Sequence, residues 1–352
     1  MPGEKMIDEE SLIKDLTRWL IDDLRAGTRI DGVQALSGGY SQMMIAFTLH
    51  DDEHARRLVL RANRPSNEAV TATDRSLEYA TIASLSGRGN VPLPAPHWFD
   101  GGAALGVPCF VVDHIDGTSM SVACRGLSET ARDELGHKLC DLMVAIHSTP
   151  IDSLPSELDV PTDWYGYVDS IIQRWRQIER SAPEPDPFVR YLANWLQRNK
   201  PAPAPMTLIH GELNNDNILL RSDGELSAVD WEFARIGDPR EDIGWYRAAS
   251  NGAAPPDVLA GDFDGFCERY RTATGLGSDV INPASIGYFG LLATVNAYSS
   301  LVQTCATVES NLGGPVLTAY MSAVLGRLQL NIMQTIRDLD GNAVHDTRPQ
   351  RG

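Results

Sequence analysis

The residues best suited to chemistry lie within positions 206–246. A short apolar run leads to His210, Glu212 follows it closely, and Asn217 comes after four intervening residues. Asp230 stands about a dozen residues further on, after another apolar run. One carboxamide with one or two carboxylates forms the all-oxygen ligand set that Mg²⁺ prefers, with water or phosphate oxygens as the remaining ligands. This stretch therefore predicts a magnesium site.

Two short strands are needed to position these ligands. The apolar runs at 218–220 and 226–229 are separated by Ser-Asp-Gly at 222–224, which is typical of a tight turn. A hairpin formed in this way places the Asn217 end of the first strand beside the Asp230 end of the second. The carboxamide and the carboxylate then converge at the mouth of the strand pair.

A glycine turn near the start of the chain offers a second kind of site. Gly38, Gly39 and Ser41 precede a predicted strand, and their backbone N–H groups are suited to phosphate oxygens. Arg61, on the next predicted strand at 58–62, would reach the same phosphates, because a guanidinium keeps its charge and grips phosphate with two donors. Taken alone, the region is equally typical of a plain hairpin after a glycine turn.

In order and spacing these residues resemble the catalytic core of the aminoglycoside phosphotransferase family, a branch of the protein-kinase-like fold that phosphorylates small molecules. The shared pattern is His-Gly-acid at 210–212, then Asn217 and Asp230, followed by Gly-Asp-Pro at 237–239. The resemblance implies that Asn217 and Asp230 are metal ligands and that Glu212 is the catalytic residue that accepts the hydroxyl proton. It also implies Mg²⁺ and ATP (or GTP) as cofactors.

The same resemblance assigns further residues to the site. Those implied for nucleotide binding are Gly38, Gly39, Ser41, Arg61, Glu78, Asp113 and Ile115. Those implied to support the catalytic loop are His210, Asp238 and Asp242. Glu78 would form an ion pair with Arg61, and the main chain at 112–115 would bind the base. Glu232 is interpreted as a loop-stabilising acid, with a place beside the metal as the alternative.

The fold that the resemblance implies is α+β, a bilobal protein-kinase-like fold. A small N-lobe with an antiparallel sheet would occupy residues 1–114, a mainly helical C-lobe residues 115–352, and the nucleotide the cleft between them. Apolar positions at helical spacing predict helices at 9–25, 67–86, 128–148 and 164–180. His147 is interpreted as a charge at a helix C-terminus, and residues 338–352 as a loose polar tail.

Glu212 departs from the family, which has Asp at this position. The extra methylene moves the carboxylate by more than ~1 Å, and misplacement on that scale can cost ~100-fold in rate. Three explanations stay open: the backbone compensates, the acceptor hydroxyl sits differently, or catalysis has been lost. The last would make the chain a pseudokinase that binds a nucleotide or a metabolite without turnover.

A run at Arg174, Trp175, Arg176 and Gln177 resembles a subgroup of this family related to kinase domains fused to, or found with, acyl-CoA dehydrogenases. The acceptors implied for that subgroup are hydroxyacyl-CoA thioesters. A basic and aromatic run on a helix is also typical of a solvated ion-pair face. The identity of the acceptor therefore stays open.

The composition is ordinary for a soluble globular protein: of 352 residues, 43% are hydrophobic and 22% are charged. A net charge of −17 argues against nucleic-acid and membrane partners. Five widely spaced cysteines are typical of reduced thiols, no apolar run approaches a membrane span, and the N-terminus lacks an apolar signal core. We expect a cytoplasmic protein, as a monomer or a homodimer.

Together these patterns predict a Mg²⁺-dependent phosphotransferase that moves the γ-phosphoryl group of ATP to a hydroxyl group of a small molecule. The alternatives are a kinase for hydroxyacyl-CoA or another alcohol, and a pseudokinase.

Overall fold

The computed structural model describes residues 9–36, 42–63, 74–181, 186–250, 258–307 and 315–346. The chain forms two compact units that alternate along the sequence. Unit 1 comprises residues 1–118, 152–158 and 219–234, and unit 2 comprises residues 119–151, 159–218 and 235–352.

Most strands precede most helices along the chain, and each kind of element is numbered from the N-terminus. The strands are β1 (Arg29–Ala35), β2 (Gln42–His50), β3 (Ala55–Asn63), β4 (Pro96–Asp100), β5 (Cys109–Asp113), β6 (Gly117–Ser119), β7 (Thr207–Ile209), β8 (Ile218–Arg221), β9 (Leu226–Ala228) and β10 (Arg235–Gly237). The α-helices are α1 (Glu9–Leu16), α2 (Arg75–Ser86), α3 (Met120–Ala123), α4 (Glu129–His147), α5 (Trp164–Ser181), α6 (Pro187–Arg198), α7 (Arg240–Ser250), α8 (Phe263–Thr274), α9 (Pro283–Ala293), α10 (Val295–Thr307) and α11 (Pro315–Asp346). A π-helical segment at Thr17–Asp23 extends α1, and a 3-10 turn spans Ile151–Ser153.

Unit 1 is built on a five-stranded antiparallel sheet with the strand order β1-β2-β3-β5-β4. Strands β2 and β3 pair along their whole length, which confirms the predicted hairpin. The N-terminal helical segment covers one face, because Leu16 and Leu20 lie four residues apart and point to the same side. Both are fully buried in one core cluster with Phe47 and Leu60.

Helix α2 follows a well-formed N-cap. The Asp74 carboxylate accepts the backbone N–H groups of Ser76 and Leu77, which have no partner inside the helix. The part of the predicted helix at 67–73 lies outside the described residues. Glu78 lies in the first turn of α2 and is buried, so this helix determines where its carboxylate can reach.

The second predicted hairpin is also present in unit 1. β8 and β9 are neighbours in a three-stranded sheet with the order β6-β8-β9. The turn between them closes through the Arg221 N–H, which donates to the Glu225 carbonyl at 2.8 Å. Gly224 has a φ of 82°, in the left-handed region that glycine adopts without strain. The turn residues read from the sequence thus have the expected role.

Unit 2 is mainly helical, with a core of large aromatic side chains. Trp164 and Trp175 of α5, Trp195 of α6 and Phe289 of α9 belong to one buried cluster. Its short strands β7 and β10 pair antiparallel, with Arg235 opposite Ile209. Since Ile209 directly precedes His210, this pair of strands positions the start of the loop at 210–217.

The prediction of a loose tail from residue 338 is wrong over most of that segment, because α11 continues to Asp346. Leu339 packs against the aromatic core of unit 2, and Asp340 accepts the indole N–H of Trp195 at 2.9 Å. These contacts hold a polar segment in helical form. Residues 347–352 lie outside the described part.

Among the described residues, no helix is long and apolar enough to cross a membrane. Four cysteines are buried and unpaired, as expected for reduced thiols: Cys109, Cys124, Cys140 and Cys267.

Candidate functional site

Arg61 lies on the central strand of the five-stranded sheet and forms a buried ion-pair network in unit 1. Its Nη2 atom is 2.6 Å from Oδ1 of Asp230 and 2.8 Å from Oε1 of Glu78. Burial opposes the charge of Arg61, but the carboxylates of Glu78 and Asp230 outweigh it and raise the pKa of the guanidinium. Arg61 is therefore a fixed positive charge, paired with Glu78 as the resemblance implied.

A second arginine extends this network to Glu232. Arg75 is fully buried and donates to Oδ1 of Asn63 at 2.8 Å, to Glu78, and to Oε2 of Glu232 at 2.9 Å. Burial and the nearby charge of Asp230 raise the pKa of Glu232. The contact with Arg75 favours the interpretation of Glu232 as a stabilising acid.

Gln42 is a residue of this site that the sequence reasoning missed. It begins β2, its side chain is 1% exposed, and its Nε2 donates to both carboxylate oxygens of Asp230 at 3.0 Å. Its Oε1 is buried and has no hydrogen-bond partner among the described residues. A buried acceptor without a partner costs about 1–3 kcal/mol of lost hydration. The sequence signal that could have identified Gln42 is its position directly after the predicted glycine turn.

Asp230 has an unusual backbone conformation. Its φ of 68° is in the left-handed region, which Asp tolerates better than most residues but at a cost of about 1–3 kcal/mol. The next residue, Trp231, is buried and donates its indole N–H to the Ala228 carbonyl at 3.2 Å. This anchor, with Arg61 and Gln42, holds the strained residue in place. The Asp230 side chain is still 17% exposed, so solvent reaches it.

The predicted hinge follows β5. The Asp113 N–H donates to the Ala95 carbonyl at 2.9 Å, and the Asp113 carboxylate lies 2.6 Å from Nε2 of His97. Within the described residues the backbone N–H of Ile115 has no hydrogen-bond partner. The other predicted phosphate contacts, Gly38, Gly39 and Ser41, lie outside the described residues.

The loop from His210 to Asn217 belongs to unit 2 and is held by Asp242, a buried residue of α7. Oδ2 of Asp242 accepts the His210 N–H at 2.7 Å, and Oδ1 accepts the Gly211 N–H at 2.8 Å. Gly211 has a φ of 83°, so the sharp turn at this point favours glycine. Asp242 thus fixes the backbone just before Glu212.

His147 does more than place a charge at the end of α4. Its side chain is 1% exposed, with Nε2 3.1 Å from Oδ2 of Asp242 and Nδ1 2.7 Å from the hydroxyl of Tyr270. Burial raises the pKa of Asp242, but the hydrogen bond and charge of His147 outweigh this and lower the pKa overall. The sequence pattern missed this contact because His147 and Asp242 are 95 residues apart.

The remainder of the loop is ordered by its asparagines. Nδ2 of Asn217 donates to the carbonyl of Glu212 at 3.0 Å, so the carboxamide oxygen of Asn217 is the atom left for a ligand. Asn215 is buried between Tyr246, whose hydroxyl donates to Oδ1 at 2.7 Å, and Ser250, whose Oγ accepts from Nδ2 at 3.2 Å. Glu212 itself is half-buried.

Asp238 is a fully buried anchor of the segment between β10 and α7. It receives three hydrogen bonds from Arg240, from the backbone N–H to Oδ1 at 2.9 Å, from Nε to Oδ1 at 2.8 Å and from Nη2 to Oδ2 at 2.6 Å. The indole of Trp164 donates another to Oδ2 at 2.6 Å. This links the segment to α5.

The predicted site residues thus fall into two groups. Unit 1 brings together Arg61, Glu78 and Asp230, and unit 2 brings together His210, Glu212, Asn217 and Asp242. Within the described ranges, no cluster of three or more His, Cys, Asp or Glu side chains suits a metal ion.

Three features are typical of the class of protein-kinase-like phosphotransferases. They are an antiparallel sheet with a buried Arg–Glu pair, a helical unit, and a His-Gly-acid loop followed by Asn. Residues 32–276 match the sequence profile of the phosphotransferase enzyme family (APH). The chain belongs to this family, and its α+β protein-kinase-like fold is the one predicted from the sequence.

One curated relative is mouse acyl-CoA dehydrogenase family member 10, which is 25% identical over 195 residues. The alignment covers 54% of this chain but only 18% of the relative's length. The match is consistent with the subgroup indicated by the Arg174–Gln177 run.

Solved structures with the same fold include an aminoglycoside phosphotransferase candidate from Ralstonia eutropha JMP134, with a TM-score of 0.71, 17% identity, and coverage of 92% of this chain and 98% of that chain. Aminoglycoside 2'-phosphotransferase-IIIa in its GDP complex has a TM-score of 0.64, 14% identity and coverage of 92% and 99%. A mutant of APH(4)-Ia with ADP and hygromycin B has a TM-score of 0.63, 15% identity and coverage of 92% and 98%.

Proposed function

We propose that this chain transfers the γ-phosphoryl group of ATP or GTP to a hydroxyl group of a small molecule, with Mg²⁺ as cofactor. The observation that favours this most is a fixed guanidinium, Arg61, held by Glu78 against the strained and partly exposed carboxylate of Asp230. Complexes of structural neighbours with ADP, AMP-PNP or GDP support the nucleotide. Complexes with hygromycin B or kanamycin support a small-molecule acceptor.

For the nucleotide, Arg61 would bind phosphate oxygens. The N–H of Ile115, which has no partner among the described residues, would donate to the base beside Asp113. Gly38, Gly39 and Ser41 would add backbone donors to the phosphates, as the sequence predicts.

The residues present fit a magnesium ion. The side chain of Asp230 is 17% exposed, and within the described residues the carboxamide oxygen of Asn217 accepts no hydrogen bond, so both offer oxygen ligands to a cation. Asp230 and the carboxamide oxygen of Asn217 would hold the ion. When bound, the ion offsets the negative charge of the transferring phosphoryl group.

Glu212 would orient the acceptor hydroxyl and take its proton. Phosphoryl transfer depends mainly on positioning and electrostatics, so the longer side chain can serve if its backbone is placed accordingly. Asp242 fixes that backbone through the N–H groups of His210 and Gly211. This supports an active loop over a pseudokinase.

A second candidate acceptor is an anionic one, such as a hydroxyacyl-CoA thioester. Arg174 is exposed, its Nη2 donates to Oδ1 of Asn296 at 2.5 Å, and it forms no salt bridge with any described residue. Desolvation and the nearby charge of Arg235 lower the pKa of Arg174. Arg235 is itself paired with Glu241 at 2.6 Å, so Arg174 is the guanidinium that would bind an anion. Arg176 faces another side, since helix positions two apart do not face each other, and it contributes to the charge around Asp169.

Calorimetric titration with ATP tests nucleotide binding, with and without Mg²⁺, on wild type and on Asp230→Asn. We expect magnesium-dependent binding in wild type and its loss in the variant, while Asp159→Asn, a change at an exposed carboxylate, binds as wild type does. Absence of binding by wild type would refute the kinase proposal.

A screen of hydroxyl acceptors tests turnover. Glu212→Gln should lower kcat by about 100-fold or more, as expected for a lost general base, and leave the Kd of the nucleotide unchanged. Binding without turnover in wild type across the screen would favour the pseudokinase.

For an anionic acceptor, Arg174→Gln should raise KM by about tenfold, the equivalent of one charge-assisted hydrogen bond, whereas Arg176→Gln should not.

A further inference from the structure

Gln42 makes an unusual set of contacts for a buried carboxamide. Its nitrogen donates to both oxygens of Asp230 at 3.0 Å, while Arg61 donates to Oδ1 at 2.6 Å. Its own oxygen has no partner among the described residues, although the side chain is 1% exposed. Most buried carboxamides have hydrogen-bond partners at both ends, so the oxygen of Gln42 requires an explanation.

The contacts determine how the Asp230 carboxylate is presented. Oδ1 accepts from both Arg61 and Gln42, whereas Oδ2 accepts from Gln42, so the two donors together set the rotation of the carboxylate. Since Asp230 sits in a strained backbone conformation, its side chain needs such support to keep one orientation. The backbone that carries the Gln42 carboxamide is restrained as well, because β2 pairs with β3 from Gln42 onward.

The Oε1 atom of Gln42, which has no partner among the described residues, is the second feature of this arrangement. Gln42 contacts a buried network that holds the carboxylates of Glu78, Asp230 and Glu232 together with the guanidiniums of Arg61 and Arg75. A hydrated cation brings O–H donors, which a buried acceptor among carboxylates lacks.

We propose that Gln42 is a positioning residue for Asp230, whose nitrogen orients the carboxylate for a divalent cation and whose oxygen is kept as an acceptor for that cation's hydration shell. The inference rests on the proposed function, because it assumes that Asp230 binds the cation.

The test is calorimetric titration with ATP, with and without Mg²⁺, on wild type and Gln42→Met, combined with thermal unfolding without ligand. Met keeps the length of the side chain but has neither the donor nor the unpaired oxygen. We expect the Kd for magnesium-dependent binding to rise about tenfold, the equivalent of about one charge-assisted hydrogen bond. Magnesium-free ATP binding should stay unchanged. The Tm should stay within about 3 °C, because the loss of the donor and the removal of the unpaired oxygen oppose each other.

Gln197→Met is the matched control. Gln197 lies on α6, and its Nε2 donates to Oδ1 of Asp169 at 3.1 Å on an exposed surface. The same carboxamide–carboxylate bond is lost there, and nucleotide binding should be unaffected.

A second variant tests the position of the cation without nucleotide. Gln42→Glu replaces the donating nitrogen by a charged oxygen beside Asp230. We expect it to lower the Tm in the absence of metal and to gain a larger Tm increase from Mg²⁺ alone than wild type does, by a few degrees.

The outcomes are distinguishable. Two results would overturn the role of Gln42 and leave the proposed function intact, provided that wild type binds Mg²⁺-ATP. In the first, Gln42→Met binds Mg²⁺-ATP equally well. In the second, Gln42→Met loses binding together with a large drop in Tm. An equal response of Gln42→Glu and wild type to Mg²⁺ would also overturn it. Wild type without magnesium-dependent binding would overturn the proposed function and this inference with it.

Discussion

Arg75 forms ion pairs with two buried carboxylates, those of Glu78 and Glu232. We expect Arg75→Met to lower the free energy of unfolding by about 3–5 kcal/mol, because a buried charge that loses its partner keeps its desolvation cost. Urea unfolding at pH 7 measures the change. Arg269→Met is the matched control: Arg269 pairs with Asp141 on the surface, where such pairs contribute less than about 1 kcal/mol. Equal losses in the two variants would contradict the prediction.

Single residues also show the limits of motif reading. Arg61, Glu78 and Asp230 were assigned because the resemblance provides their positions, and they lie in contact. Gln42 and Arg75 were not assigned, although Gln42 contacts Asp230 and Arg75 contacts Glu78. Neither belongs to a short motif, and only the contact itself identifies them.

Helices α7 and α9 pack backbone against backbone. A Cβ added to Gly244 would lie 2.4 Å from the Gly290 nitrogen and 2.7 Å from the Ile286 carbonyl oxygen. We expect Gly244→Ala to lower the free energy of unfolding by about 2 kcal/mol or more, because overpacking forces the helices apart. In Gly326→Ala, on α11, the added Cβ meets no atom within 4 Å, and we expect a gain of about 0.5–1 kcal/mol from helix propensity. Thermal unfolding should show shifts of opposite sign, and two shifts of the same sign would refute the packing argument.

The link between α7 and the catalytic loop predicts a pH dependence. The folded-state pKa of Asp242 lies below its usual value of 3.8. The folded state therefore binds fewer protons, and the stabilisation from this carboxylate is fully present above the unfolded pKa and lost as pH falls through the lowered folded pKa.

We therefore expect the unfolding free energy of wild type to exceed that of Asp242→Asn by the largest amount near neutral pH. The difference should shrink as the pH falls below about 4, in urea unfolding measured at several pH values. Asp159→Asn, at an exposed carboxylate, should differ little from wild type throughout. A difference for Asp242→Asn that is independent of pH would contradict the assignment.

At the scale of the whole molecule, a net charge of −17 acts on any charged acceptor. Raising the ionic strength from about 0.01 M to about 0.1 M shortens the Debye length from about 30 Å to about 10 Å and screens this field. We expect the KM of a polycationic aminoglycoside to rise over this range and the KM of an anionic thioester to fall. Steady-state assays with whichever acceptor is turned over measure the sign, and a KM that moves against the acceptor's charge would contradict this view of the field.

Much of this protein follows from local sequence. Turn chemistry at 222–224, strand pairing within 218–229 and helical periodicity at 128–148 depend on neighbouring residues, so they are readable without the fold. The spacing of His210, Asn217 and Asp230 was sufficient to predict the family. The profile match over residues 32–276 establishes that family.

The tertiary structure alone decided which distant side chains meet. Gln42 and Asp230 are 188 residues apart, Arg61 and Asp230 169, and His147 and Asp242 95. Such contacts depend on how the chain returns to one place, which periodicity does not encode. The same holds for the end of α11, where a polar sequence stays helical because Leu339 and Asp340 find partners in the core of unit 2.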